Sequence, residues 1–388
     1  MEKIKELAFF EKLLNTPQNS LVDKAVKEGR IPIAYNCYTA PEALLSVGKA
    51  FPVRLRAPQT TSTELATFYM SPFTCSYSRS ILEAALDDQY EFIQGMVFAA
   101  CCVQIQRTAH NYKLQKLKGD EKFVHYLIDV PRKEFDAYVP ALVADLKKLA
   151  GLMETTYGLD MSEENIRKAI HEQNEFNKLL KEISDFRKLD KPKITGSEWH
   201  MVYTACKTAP KDMLVEPLKK LKTALEKREG FEAKARLMVM GSICDNPAYI
   251  ELIESQGCLV VADRFCYGSL PGMEMIPEEG DVFTNLALFY LESNECPRMM
   301  EKMEFRAERA ENYLEEYKAD GIIFETLKFC DVWGYEKLKT LKILEDKGIP
   351  CVRIEREYAL SGEGQMKTRV QAFIESIQNK QLTEKLAK

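Results

Sequence analysis

Gly95-Met-Val-Phe-Ala-Ala-Cys-Cys102, the helix-patterned stretch from Gln104 to Leu117, and Tyr126-Leu-Ile-Asp-Val-Pro131 together decide the fold. Two short apolar runs flank one helix-length segment, and neither run alternates with polar residues. Strands apolar on both faces must be covered on both, and strands joined through a helix pair in parallel. The same rhythm holds upstream. Arg30-Ile-Pro-Ile-Ala-Tyr35 and Phe51-Pro-Val-Arg-Leu-Arg56 read as strands. Between them Pro41-Glu42 opens a helix that Gly48 stops, since proline near the first position and an acid in the first turn both favour a helix start. A further helix covers Ser76 to Leu86. The first twenty-five residues are expected to be helical, with Leu7, Phe10, Leu13 and Leu14 at helix spacing.

From Glu134 to about Gly230 strand-like runs vanish and charged helices dominate, for example 162–188 and 213–229. The rhythm then resumes. Ala235-Arg-Leu-Met-Val-Met-Gly241, Cys258-Leu-Val-Val-Ala-Asp263, Gly321-Ile-Ile-Phe-Glu325 and Pro350-Cys-Val-Arg-Ile-Glu355 are strands; helices are expected over 247–255, 298–317, 336–346 and 366–379. The class is α/β: two Rossmann/flavodoxin-like parallel-sheet lobes joined by a helical region. The expected divisions are an N-terminal helix over 1–29, a first lobe over 30–133, a helical region over 134–233 and a second lobe over 234–388.

The chain has 388 residues, more than one ordinary domain, and a formal charge of −5, without the basic surplus of a nucleic-acid binder. No apolar run approaches the ~18 residues of a membrane helix, and the charged amphipathic start lacks a secretory core. The expected setting is cytoplasmic, with no nucleic acid and no membrane as partners. No G-x-G-x-x-G, Walker A or G-x-S-x-G motif occurs, which removes the usual dinucleotide, NTPase and hydrolase readings. The four histidines lack H-x-x-x-H spacing. The loop Gly362-Glu-Gly-Gln-Met-Lys-Thr368-Arg369 reads either as an anion-holding helix start or as an ordinary cap.

Eleven cysteines are the unusual number, and none lies in a C-x-x-C pair, so a zinc ribbon is excluded. In open parallel sheets, ligands bind beyond the carboxyl ends of strands. Cys37, Cys101, Cys102, Cys244, Cys266 and Cys330 all follow strands, and Cys75 feeds a helix start, where thiolates are favoured. Position alone leaves two readings open: a cage for an iron–sulfur group gathered from distant loops, or small buried thiols.

The chain resembles the subunits of 2-hydroxyacyl-CoA dehydratases and class I benzoyl-CoA reductases, and looks closest to the second, β-type dehydratase subunit. The residues that carry the likeness are Pro41-Glu42-Ala-Leu-Leu-Ser-Val-Gly48, Phe73-Thr-Cys75-Ser, Cys102 after Gly-Met-Val-Phe, Val260-Val-Ala-Asp263-Arg-Phe-Cys266-Tyr-Gly268, and the closing segments Lys328-Phe-Cys330-Asp331 and Gly364-Gln-Met-Lys-Thr368-Arg369-Val-Gln-Ala-Phe373-Ile-Glu375. The likeness runs from about residue 30 to 376.

The resemblance implies a [4Fe-4S] cluster held by Cys75, Cys102 and Cys330, leaving one iron open. The family places Asp after the second cysteine, with arginine just downstream. Here Cys102 is followed by Val103-Gln-Ile-Gln-Arg107, and Cys101 stands where a non-cysteine is usual. Cys101 is therefore an alternative or additional ligand, and extra thiols suit the double-cubane cluster branch. Of the remaining seven, read as structural thiols, Cys266 is the one to watch. By the same resemblance Glu42, Arg107 and Arg369 line the catalytic site. The implied activity is radical (ketyl) elimination of water from a 2-hydroxyacyl-CoA in amino-acid fermentation. The implied partners are a homologous α-type subunit in a heterodimer, an ATP-dependent iron–sulfur activator protein and the acyl-CoA substrate. Two alternatives stand beside it: a benzoyl-CoA reductase-like or double-cubane reductase subunit, and a cluster-free scaffold subunit.

Overall fold

The computed structural model describes residues 4–117, 119–120, 122–269 and 273–386; residues 1–3 of the expected first helix lie outside them. It contains two four-stranded parallel sheets. The first is built from β1 (Ile31–Tyr35), β2 (Ala50–Arg54), β3 (Gly95–Ala99) and β4 (Val124–Ile128), in the order β2-β1-β3-β4. The second is built from β5 (Arg236–Gly241), β6 (Leu259–Phe265), β7 (Gly321–Leu327) and β8 (Cys351–Arg356), in the order β6-β5-β7-β8. The α/β expectation is met, and each order is that of a doubly wound sheet whose direction reverses beside the first strand.

Alternation along the strands shows why apolar runs were needed. Ile33, Tyr35, Val97 and Ala99 point into one core, with Leu142, Leu146 and Leu149 of the Val139–Tyr157 helix. Ala34, Met96 and Phe98 point into the opposite core, with Ile81 and Ala84 of the Ser76–Leu86 helix. Leu237, Val239 and Ile323 in the second sheet oppose Met238, Met240, Ile322 and Phe324 in the same way. A third core, around the fully buried Trp199, joins the N-terminal helix Leu7–Lys12 to helices Gly196–Ala205 and Asp212–Lys227. Thr195 and Glu198 start the Gly196–Ala205 helix with a reciprocal capping box.

The lobes meet through their strand ends. Arg56 Nε lies 3.3 Å from Asp245 Oδ2, the Ala57 amide donates to the Tyr358 hydroxyl at 3.0 Å, and the Tyr358 amide donates to Ser76 Oγ at 2.9 Å. Among the described residues no helix is long and apolar enough to cross a membrane.

Several elements differ from the sequence reading. The expected first helix is two helices, Leu7–Lys12 and Ser20–Lys27, separated around Pro17, with Asn19 capping the second. The expected helix after Pro41 is only the 3-10 turn Leu44–Ser46, with Ala43, Leu44 and Leu45 all buried. The stretch from Gln104 to Leu117 is an α-helix over Val103–Tyr112 and then a π-turn over Lys113–Leu117 with no buried residue. Helix Val282–Glu292 was not anticipated; it is apolar nearly all round because it inserts into the first lobe's core beside Glu42's turn. The expected 336–346 helix begins earlier, at Asp331, immediately after Cys330.

Candidate metal centre

The reversals in strand order place the ends of β1 and β3 side by side, and likewise those of β5 and β7. The thiols collect at these ends. Cys75, Cys102 and Cys330 share one feature: each is the N-cap residue of a helix, of Ser76–Leu86, Val103–Tyr112 and Asp331–Asp346 respectively. The Ile105 amide donates to Cys102 Sγ at 3.4 Å, and the first-turn amides of Tyr77 and Ser78 at Cys75 and of Trp333 at Cys330 favour those sulfurs' ionised form without a full capping hydrogen bond. Amides and the positive helix end both favour sulfur as thiolate.

One side chain ties the three loops together. Gln104, two residues after Cys102, accepts from the Cys75 amide at 2.5 Å and donates to the Phe329 carbonyl at 2.7 Å and to Asp331 Oδ2 at 2.8 Å. Phe329 sits at φ 61°, a left-handed turn unusual for an aromatic residue, which aims Cys330 at the junction. Its ring meets Phe73 edge to face at 5.6 Å across the lobes.

Four more thiols adjoin these. Cys101 adjoins Cys37 and Cys102 closely enough for the three thiols to influence one another's ionisation. Cys266 and Cys296 are close enough to Cys37 and Cys330 to perturb one another's titration. Donors again face sulfur: Asn36 Nδ2 to Cys101 at 3.5 Å, Thr39 Oγ1 to Cys37 at 3.4 Å and Trp333 Nε1 to Cys266 at 2.9 Å. Burial pushes Cys75 well up and Cys330 up to about 11. The neighbouring Cys101 thiol, with Thr39, holds Cys37 below the ordinary thiol range against burial. Among the described residues no three His, Cys, Asp or Glu side chains stand close enough to hold one metal ion. Cys75, Cys102 and Cys330, each capping a helix and tied to one another through Gln104, offer the sulfur donor set that iron–sulfur groups take. By contrast, Cys206 and Cys258 lie in the apolar cores of the third cluster and the second lobe.

The other candidate residues lie apart from the thiols or outside them. Glu42 occupies a polar cluster, accepting from Tyr35 at 3.1 Å and lying 3.1 Å from both Lys207 Nζ and Lys211 Nζ. Burial opposes its ionisation, but the two ammonium groups outweigh burial and hold its pKa at about 2. Glu42 is thus a fixed carboxylate, facing a cavity of about 40 Å³ also lined by Arg54, Tyr203 and Tyr290. Arg107 is exposed. Arg369 is also exposed, on the last helix, and donates to the Arg353 carbonyl at 2.5 Å on β8. Sequence reasoning missed Gln104, Asn36, Lys207 and Lys211. Gln104's position in the first turn after a capping cysteine was the one local signal.

These features define a two-lobed α/β protein whose distinctive site is a thiol-lined junction between two switch points. The 2-hydroxyglutaryl-CoA dehydratase D-component family matches residues 37–377, and the chain belongs to it. It is 25% identical to the (R)-phenyllactyl-CoA dehydratase beta subunit of Clostridium sporogenes over 371 residues, 95% of this chain and 97% of that one. It is 27% identical to a benzoyl-CoA reductase subunit of Thauera aromatica over 308 residues, 77% of each chain. It is 22% identical to the (R)-2-hydroxyglutaryl-CoA dehydratase beta subunit of Acidaminococcus fermentans over 373 residues, 95% of this chain and 98% of that one. The chain is therefore a 2-hydroxyacyl-CoA dehydratase-like subunit.

Proposed function

We propose that this chain is the iron–sulfur subunit of a 2-hydroxyacyl-CoA dehydratase, with Cys75, Cys102 and Cys330 holding a [4Fe-4S] cluster. The observation that carries the reading is that three helix-capping thiols, from three separate loops, are bound into one unit by Gln104. When bound, such a group supplies one-electron chemistry, which removal of an unactivated β-hydrogen requires because no protein base reaches its pKa. The chain's own contribution is to present thiolates against backbone amides and to shield them between two apolar clusters. Because burial keeps Cys75 and Cys330 protonated in the metal-free chain, loading releases protons and strengthens as pH rises. The proposed partners are a homologous α-type subunit, on which substrate selection largely rests, and an ATP-dependent iron–sulfur activator protein that delivers the electron. The acyl-CoA loses water through a ketyl radical and the electron is returned. We place this chemistry in the cytoplasm.

The test is anaerobic iron and sulfide analysis of the chain co-purified with its partner subunit. Cys330→Ser loses iron and sulfide while Cys206→Ser keeps both; equal content in the two variants sinks the ligand assignment. A colourless, iron-free wild-type chain favours a scaffold role.

A second reading has its own support. Seven neighbouring thiols, close enough to influence one another's ionisation, exceed what a three-cysteine cluster uses, with Cys37, Cys101, Cys266 and Cys296 left over. A double-cubane cluster and a reductase activity follow from that reading. Iron well above four atoms per chain, with net electron consumption, selects it.

A further inference from the structure

Seven arginines among the described residues are buried, at 9% exposure or less. Six have a carboxylate within ion-pair distance: Arg56 has Asp245, Arg187 has Asp263, Arg264 has Glu295, Arg298 has Asp129, Arg306 has Glu336 and Arg356 has Glu325. Arg54, at 2% exposure, is the exception among the described residues. Its Nε donates to the Asn36 carbonyl at 3.3 Å and its Nη2 to the Cys266 carbonyl, and its guanidinium lies 4.0 Å over the Tyr267 ring. The titratable groups it faces are Tyr35, Tyr267, Tyr77 and Cys37, and three of these are neutral phenols. Glu42, the acid of the adjoining cavity, is already engaged by Lys207 and Lys211. A buried charge with carbonyl and ring contacts alone is a large cost unless a counter-charge occupies the remaining side. Sulfur lies one hydrogen bond further on: Asn36, whose carbonyl Arg54 holds, donates its Nδ2 to Cys101 Sγ at 3.5 Å, and Arg54 Nη2 fixes the carbonyl of Cys266.

We propose that Arg54 is the fixed positive charge that balances the anionic sulfur site, setting how readily the bound iron–sulfur group accepts an electron. It acts through charge and touches neither substrate nor acyl-CoA. The inference rests on the iron–sulfur reading above. Positive charge favours the more negative, reduced form, so removing it makes reduction harder. Removing one buried unit charge beside the site is expected to change the ratio of reduced to oxidised centres about tenfold. For a one-electron couple that is a midpoint about 59 mV lower.

The experiment is an anaerobic potentiometric titration, followed by electron paramagnetic resonance, of full-length wild type, Arg54→Met and Arg54→Lys after iron and sulfide reconstitution. The expected result is a lower midpoint in Arg54→Met and a near-wild-type midpoint in Arg54→Lys. Loss of iron from Arg54→Met with full retention in Arg54→Lys supports the same charge requirement. The inference is overturned if Arg54→Met titrates like wild type, or if both variants shift or lose iron alike, since the role is then one of shape. Wild type that takes up no iron overturns the cluster reading and this inference with it, whereas iron-loaded variants of unchanged potential overturn this inference alone.

Discussion

Replacing Glu42 with glutamine tests whether this residue is a locked structural carboxylate or a poised catalytic group. In the native chain its pKa stands at about 2, against an ordinary 4.5, because Lys207 and Lys211 outweigh the cost of burial. That difference corresponds to about 3 kcal/mol of folding stability at neutral pH. Glutamine keeps the shape but leaves two buried ammonium groups side by side, a change of the same order. For a chain of this length the unfolding midpoint should fall by about 4 °C. The sign with pH is fixed. The carboxylate's contribution is fully present above about 4.5 and is lost as pH falls toward about 2, where wild type also carries a neutral side chain. The gap between wild type and Glu42→Gln should therefore narrow across that interval. Thermal unfolding followed by circular dichroism from pH 7 to 2.5 measures it. Adding Lys207→Met to Glu42→Gln should recover part of the loss, since it removes an uncompensated charge, giving a coupling of about 1–3 kcal/mol in a double-mutant cycle. Equal midpoints at pH 7, or a gap that stays constant down to pH 2.5, would refute the locked-carboxylate account.

Gln104→Ala removes the clamp between the Cys75 amide, the Phe329 carbonyl and Asp331. It should cost about 2 kcal/mol and speed iron loss to excess chelator about tenfold, with the far-ultraviolet spectrum unchanged. An unaltered release rate counts against the clamp. Gly241→Ala should cost about 3 kcal/mol or more in a urea titration, because an added Cβ at this φ of +146° would stand 1.8 Å from the Glu325 carbonyl of the neighbouring strand. Gly29→Ala, at φ +77° with open space around it, should cost about 1 kcal/mol; a similar loss for both would show that β5 and β7 do not pack as described.

What the sequence made legible and what it hid divide along one physical line. Apolar runs such as Gly95–Ala99 and Gly321–Leu327 read as strands because burial on both faces leaves its mark on consecutive residues. Strand ends then marked where ligands bind, and Cys75, Cys102 and Cys330 could be selected by position and by resemblance. Charge balance leaves no such mark. Glu42 meets Lys207, 165 residues away, and Arg54 meets the carbonyl of Cys266 from the other lobe. Helix Val282–Glu292 was passed over for a related reason. A helix inserted into another lobe's core is apolar on nearly every face, so its 3.6-residue period disappears. The same logic bears on the thiols. A cysteine lining a ligand site and one filling a core have identical local sequence signals, and only the donors around the sulfur distinguish them. Cys206, packed among leucines, has its pKa raised mainly by burial, and no donor is directed at its sulfur among the described hydrogen bonds. Cys37, Cys101, Cys102 and Cys266 each receive an N–H or O–H directed at sulfur. A protein gains little by directing donors at a neutral thiol, a weak acceptor, so donors gathered around several sulfurs argue that those sulfurs carry negative charge when the site is in use. Arg54 then fits as part of that arrangement: a cation left without a carboxylate because its counter-ion is built from sulfur.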